Sequence, residues 1–333
     1  MRSLIIGGTR NLGPSIVHSL LQSGHQVAIF NRGLTPDDLP AEIERLRGDR
    51  NDVQQMKGAL GNRQFDIVID TTLYTGPEAE AAVNLFRDRV GRYIFISTGQ
   101  VYLVRLGVQR PFKETDYLGP VMPEPPKADE SEHSNWLYGF DKRQAEDVFS
   151  QAWRERKFPY TSLRLPMVNS ERDHYDRLYG YFLRLRDGGP ILIPDDDGAP
   201  VRHVYGEDVV QAIVRLIKSD KGRGEAYNIG QDESLSLKHF LEMMAALVKA
   251  PLHLQPAPRE ALMRAGLLPD CSPFSGLWMS ALNNDRSKAE LGMKYTPLKD
   301  YLKRLIDLYA ATSPRQVDGY KQRPLELKFA NLE

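Results

Sequence analysis

Short apolar runs alternate with amphipathic stretches through the first half of the chain, and their order predicts a fold. Leu4-Ile5-Ile6 reads as a first strand. After a glycine-rich turn, Ile16, Val17, Leu20 and Leu21 recur at helical spacing until Gly24 stops the helix. His25-Gln26-Val27-Ala28-Ile29-Phe30 predicts a second strand, Leu46-Arg47-Gly48-Asp49 a short third, and residues 52–60 a helix. Phe65-Asp66-Ile67-Val68-Ile69-Asp70 predicts strand four, residues 78–86 a helix, and Tyr93-Ile94-Phe95-Ile96-Ser97 strand five. A helix over 136–153 and a sixth strand over 160–165 complete this half. Apolar strands alternating with amphipathic helices mean a parallel sheet covered on both faces. The predicted class is α/β, a Rossmann-type doubly wound sheet with a smaller C-terminal lobe.

Periodicity disappears over residues 103–137, where Pro111, Pro120, Pro123, Pro125 and Pro126 fall. Such a segment predicts a lid, a binding loop or a disordered insertion. Beyond 165 the alternation weakens. A helix through 183–186 ends at Gly188-Gly189-Pro190; strands are expected at 191–193, 201–205 and 227–230, and helices at 207–219, 237–248 and 298–311. The expected domains are a doubly wound lobe over 1–165, with 199–232 returning to it, and a smaller second lobe from 166–198 and 233–312. Residues 313–333 lack periodicity and predict an extended tail.

The turn between the first strand and helix, Gly7-Gly8-Thr9-Arg10-Asn11-Leu12-Gly13, states a ligand as well as a fold. A strand ending in glycines and turning straight into a helix leaves backbone N–H groups at the helix N-terminus, where they bind a pyrophosphate. Gly7 and Gly8 permit a tight turn, and Gly13 lets the helix pack on the strand. Pro14 fits the first helical turn. The bulk composition excludes other classes. Lys and Arg number 44 against 44 acidic residues, so there is no overall electrostatic footprint for nucleic acid or an anionic membrane. Cys271 is the one cysteine, which excludes internal disulfides and a cysteine zinc cluster and suits a reducing, cytoplasmic location. A first strand at residue 2 or 3 leaves no room for a signal peptide, and no apolar run reaches membrane-span length.

Chemistry-bearing residues gather after the fifth strand. Tyr138-Gly139-Phe140-Asp141-Lys142 sets a phenol and an ammonium at i and i+4 on one helix face, with Cβ atoms about 5–6 Å apart. A nearby ammonium stabilises phenolate, so the spacing predicts a Tyr138 pKa lowered toward neutrality. Thr98 ends strand five, where ligands of a doubly wound sheet sit. The run Asp195-Asp196-Asp197-Gly198 reads as a solvated turn rather than a metal site. No metal is expected. Tyr175, Tyr179 and Tyr181 are expected to pack between the lobes.

These residues together resemble the extended short-chain dehydrogenase/reductases, the NAD-dependent epimerase/dehydratase family. Ile96-Ser97-Thr98-Gly99-Gln100-Val101-Tyr102 matches that family's Ser/Thr-x-x-Val-Tyr pattern, and Tyr138 to Lys142 its Tyr-Gly-x-x-Lys helix. Leu163-Arg164-Leu165-Pro166, the Glu207-Asp208-Val209-Val210 helix start, Tyr227-Asn228-Ile229-Gly230 and Ser287-Lys288-Ala289-Glu290-Leu291-Gly292 look like later landmarks. The resemblance spans residues 2–311. It implies an NAD(P)-dependent oxidoreductase or epimerase acting on a hydroxyl or keto group of a polar small molecule, with a nucleotide sugar or sugar-like compound as the family expectation. Tyr138 would be the acid/base, Lys142 would hold the nicotinamide ribose and lower the Tyr138 pKa, and Thr98 would hydrogen-bond the substrate oxygen. Cofactor contacts are implied at Gly7, Thr9, Arg10, Asn11, Leu12, Gly13, Asn31, Arg32, Asp49, Thr71, Lys142 and Pro166, and substrate contacts at Gln100, His133 and Arg202. The expected partner is a small molecule, with the protein a monomer or homodimer.

Three departures from the family pattern refine this. Arg10 replaces the middle glycine of the phosphate turn, and its guanidinium suits a phosphate. Asn31 stands where a carboxylate would hold an unmodified ribose 2′-OH, and Arg32 follows it, so NADP(H) is preferred over NAD(H). Gly-Gly-Thr-Arg with Asn-Arg-Gly looks like an atypical branch that includes chloroplast stem-loop RNA-binding proteins, which keeps an RNA-binding or regulatory role as the alternative. Asn169-Ser170 replaces the usual Gly-Pro after strand six. Sugar 4,6-dehydratases of this family carry an Asp-Glu pair after the catalytic Thr, here Gly99-Gln100, so that reaction is not expected unless Glu114 or Asp116 substitutes.

Overall fold

The computed structural model describes residues 1–196, 198–312 and 315–331, so Asp197 of the acidic run lies outside the described residues. Seven parallel strands form the central sheet: β1 (Arg2–Ile6), β2 (Gln26–Asn31), β3 (Glu44–Arg47), β4 (Phe65–Asp70), β5 (Val90–Thr98), β6 (Tyr160–Leu165) and β10 (Glu225–Asn228). Their spatial order is β10-β6-β5-β4-β1-β2-β3, every neighbour parallel. Order reverses between β1 and β4, and that switch point opens a crevice at the carboxyl ends of the strands.

The helices α1 (Leu12–Gln22), α2 (Val53–Leu60), α3 (Gly76–Phe86), α4 (Gln100–Leu103), α5 (Glu130–Arg156), α6 (Arg177–Asp187) and α7 (Gly206–Ile217) follow in chain order. The later helices are α8 (Leu237–Val248), α9 (Arg259–Arg264), α10 (Asp285–Leu291), α11 (Leu298–Ala311) and α12 (Arg323–Ala330). Alternation of side chains along the strands divides the core. Ile5, Ile29, Ile67, Ile69 and Ile94 face Ile16, Val17, Val209 and Ile213 of α1 and α7, while Leu4, Ile6, Val68 and Phe95 face Met56, Ala82, Phe86 and Phe149 of α2, α3 and α5. A separate core joins α6, α8 and α11 around Phe240, Met244, Tyr301 and Leu305. Two parallel pairs, β7 (Val168–Asn169) with β9 (Val204–Tyr205) and β8 (Ile191–Pro194) with β11 (Leu254–Ala257), connect these layers.

Several expectations need correction. Residues 103–137 are not a disordered insertion. Phe112 is buried against Tyr102 and Leu282, its carbonyl accepts from the Asn228 amide at 2.9 Å, and Arg110 donates to the Met279 and Leu277 carbonyls. The described part of the tail is folded rather than extended. Glu326 of α12 accepts from Arg184 and Arg323, and all three side chains are nearly or fully buried. Phe329 packs against the cluster of Leu192, Leu262 and Cys271. Among the described residues no helix is long and apolar enough to cross a membrane.

Candidate active site

The crevice at the strand ends is a cleft of about 830 Å³ running from the β1–α1 turn to Tyr138. Its floor begins with Gly7 and Gly8 at positive φ, 98° and 89°. A Cβ at Gly7 would fall 2.4 Å from Thr71 Oγ1, and one at Gly13 would fall 2.4 Å from the Gly8 carbonyl carbon, so neither position accepts a side chain. Helix α1 has no side-chain cap and no acidic residue in its first turn. Leu12 and Gly13 line the cleft, so the positive end of the α1 dipole opens onto it, which favours an anion there. Asn11, in the strained φ 48°, ψ −113° conformation, uses its Oδ1 to accept from Ser170 Oγ at 2.9 Å instead of capping the helix.

At one end of the cleft stand Arg10, Arg32 and Asp49, the two arginines exposed. Asn31 braces the turn: its Nδ2 donates to the Gly7 carbonyl at 3.1 Å, and its Oδ1 accepts from Gly33 N–H at 2.9 Å and from the Arg47 guanidinium. Its polar atoms are thus engaged by protein. Arg50 reaches the fully buried Asp70 at 2.7 Å, and the Tyr93 hydroxyl donates to the same carboxylate at 2.6 Å.

At the other end are Thr98, Tyr138 and Lys142. Helix α5 presents Tyr138 and Lys142 together; Gly139 between them packs so closely on α4 that its Cβ would lie 2.7 Å from the Gln100 carbonyl. The buried Lys142 ammonium donates to the Leu73 carbonyl at 2.6 Å and the Ile96 carbonyl at 2.9 Å, and lies 4.6 Å from the Tyr74 ring centroid. Desolvation lowers its pKa to about 8 against the pull of Asp70. Although Tyr138 as a residue is 37 % exposed, desolvation of its phenol end pushes it up to about 12, with a hydrogen bond to Thr98 acting the other way. This corrects the expectation of an acidified phenol. The Lys142 ammonium is committed to two backbone carbonyls, and burial outweighs the charge.

A sequence profile described as the NAD dependent epimerase/dehydratase family matches residues 3–230, well over half of the chain. The chain belongs to the NAD-dependent epimerase/dehydratase family. Among curated relatives, the chloroplast stem-loop binding protein of 41 kDa b from Arabidopsis thaliana is 26% identical over 69% of this chain and 58% of that protein. The 2'-dehydrokanamycin reductase of Streptomyces kanamyceticus is 24% identical over 78% of this chain and 70% of its own length. The UDP-glucose 4-epimerase of Thermus thermophilus, solved in complex with NAD, superposes with TM-score 0.71 at 20% identity, covering 94% of this chain and 100% of that one. The Thermotoga maritima UDP-glucose 4-epimerase solved with UDP-glucose gives 0.72 at 19%, covering 93% and 99%. These structural likenesses show the fold.

In this family member all the residues expected to contact cofactor line one cleft with Thr98, Tyr138 and Lys142. The expected substrate contacts do not. Gln100 turns its Nε2 to the Trp278 carbonyl at 3.3 Å, and Ser280 and Leu282 crowd the neighbouring Gly99. His133 pairs with Glu124 at 2.8 Å on the first turn of α5. Arg202 donates to the Gln231 carbonyl at 3.0 Å. Tyr179 and Tyr181 are buried in the second core, whereas Tyr175 is 61 % exposed and lines the cleft with His174. Sequence reasoning missed Tyr74, Glu78, His174 and Tyr175 as cleft residues. Asp173, whose carboxylate accepts from Tyr175 N–H at 3.1 Å, was the available turn signal.

Proposed function

We propose that this protein is an NAD(P)-dependent oxidoreductase or epimerase acting on a hydroxyl or keto group of a polar small molecule, a nucleotide sugar or sugar-like compound. One observation carries the reading: a phosphate-type turn, two exposed arginines and the Thr98–Tyr138–Lys142 set share a single cleft. The uncapped α1 N-terminus with bare Gly7 and Gly13 fits a pyrophosphate, and Lys142 would hold the adjoining ribose. When bound, the dinucleotide supplies or takes up the hydride. Tyr138, un-ionised at neutral pH, donates its proton to the substrate oxygen, and the Thr98 hydroxyl orients that oxygen. One hydride and one proton interconvert ketone and alcohol; in epimerisation the alcohol first gives up both, its proton going to Tyr138 as phenolate, and the ketone then takes them back with the hydride on its opposite face.

Two finer points belong to the same proposal. NADP(H) is preferred, supported by Arg10 and Arg32 at the cleft and by Asn31 being occupied with Gly7, Gly33 and Arg47. The reaction is not sugar 4,6-dehydration, which needs a second acid and base beside Thr98. A side chain at Gly99 would meet Ser280 Oγ at 2.3 Å, and Gln100 faces Trp278. The Glu114 carboxylate accepts from Asn228 N–H at 2.9 Å and that of Asp116 from Lys113 N–H at 2.7 Å, so neither substitutes. Tyr138→Phe tests the central assignment. Turnover with any accepted substrate should be lost while dinucleotide affinity stays within about twofold, the phenol acting on substrate alone. Retained turnover sinks the assignment.

A further inference from the structure

Ser170 and the six residues after it make three sets of contacts in chain order, the first and last of them at the cleft. Ser170 Oγ donates to Asn11 Oδ1 at the phosphate turn. Arg172 reaches Asp38, in the segment after β2, through two parallel bonds of 2.9 and 2.7 Å. His174 and Tyr175 line the cleft that also holds Tyr138, with Arg177 stacked 4.1 Å from the Tyr175 ring centroid. The far end is braced by the C-terminal tail: the Arg315 guanidinium pairs with Asp176, and its backbone N–H donates to the Tyr179 hydroxyl. Between buried Ser170 and buried Leu178, none of residues 171–177 is itself buried. The segment is therefore held mainly by polar contacts, at Ser170, at Glu171 (which accepts from the Tyr205 hydroxyl), at Arg172 and at Asp176, with little apolar packing, which is the make-up of an element that opens locally while the rest stays folded.

We propose that residues 170–176 are a strap that closes over the bound dinucleotide, with Arg172–Asp38 as its latch and Arg315–Asp176 as its brace, so that cofactor release is gated by strap opening. The proposal rests on the dinucleotide reading of the cleft and adds a kinetic property to it. A gated cofactor stays bound between turnovers, which suits a reaction that regenerates its own cofactor. The two latch charges are both exposed, at 43% and 63%, so bulk salt weakens them.

The test is stopped-flow release of NADPH, read by its fluorescence after a chase with excess NADP⁺. Arg172→Ala should speed release about fivefold, the upper end for an exposed bidentate pair. The double exchange R172D/D38R should return the rate toward wild type, and raising salt should speed the wild type by a larger factor than Arg172→Ala, which keeps only the Arg315–Asp176 pair. Arg315→Ala should act in the same direction as Arg172→Ala. NADPH binding to wild type should also slow amide hydrogen exchange across 170–176. Unchanged release in Arg172→Ala and Arg315→Ala, with normal equilibrium binding, overturns the strap alone. Failure of wild type to bind either NADPH or NADH overturns the strap together with the dinucleotide reading.

Discussion

Lys142 makes an electrostatic prediction that can be isolated from every other titrating group. The residue is 3 % exposed, and desolvation lowers its pKa from 10.5 to about 8. Below about pH 8 it is protonated in both folded and unfolded states, and the folded state bears the full cost of the buried charge. Between about 8 and 10.5 the unfolded chain holds the proton and the folded chain does not, so stability rises with pH in that window. A shift of this size corresponds to about 3 kcal/mol, at about 1.4 kcal/mol per unit. Lys142→Met keeps the aliphatic stem and removes the charge. Urea unfolding of both proteins across this window should show the wild type gaining about 3 kcal/mol on the variant as pH rises. Parallel curves would refute the claim that Lys142 carries a buried, destabilised charge poised for a ligand. The same titration implies that dinucleotide affinity in the wild type declines as pH passes about 8, because a neutral amine holds ribose hydroxyls less strongly.

Two further outcomes follow from other sites. Incubation with nucleotide-diphosphate hexoses should give no 4-keto-6-deoxy product at a catalytic rate, since Gly99 has no room for a carboxylate beside Ser280; its appearance would contradict the assignment of reaction type. Glu326→Ala should cost about 3–5 kcal/mol in urea unfolding, because it leaves the fully buried Arg184 without a carboxylate while Arg323 keeps Asp187; a loss below about 1 kcal/mol would show that the tail is not anchored there.

The parts of the molecule written in a short repeat were legible from the chain. Strand β6, buried along its whole length, and helices α8 and α11, each burying one continuous face, fall where apolar spacing placed them. The glycine turn was readable because Gly7 and Gly13 are sterically obligatory. The first turn of α5 was not. It begins at Glu130 under an Asp129 cap, and Glu-Ser-Glu-His-Ser-Asn carries no apolar period because that turn is mostly solvated. Helix α12 escaped for the opposite reason: what buries it is an Arg–Glu–Arg cluster, which reads in sequence as a surface charge pattern. Thr98, Tyr138 and Lys142 were found through local spacing. Tyr74 and Tyr175 were not, because they reach the cleft from loops whose positions depend on distant contacts such as Arg315–Asp176. The Tyr138 pKa ran opposite to expectation since the i, i+4 spacing does not reveal that Leu73 and Ile96 carbonyls claim the ammonium.

Calorimetric titration of the purified protein with NADPH and with NADH tests the central claim most directly. Both should bind in the cleft, NADPH about tenfold or more tightly, the value of one charge-assisted bond to a phosphate, and Arg32→Ala should remove most of that difference while sparing NADH. Equal affinities would contradict the cofactor preference, and no binding of either dinucleotide would contradict the account of this cleft as an oxidoreductase site.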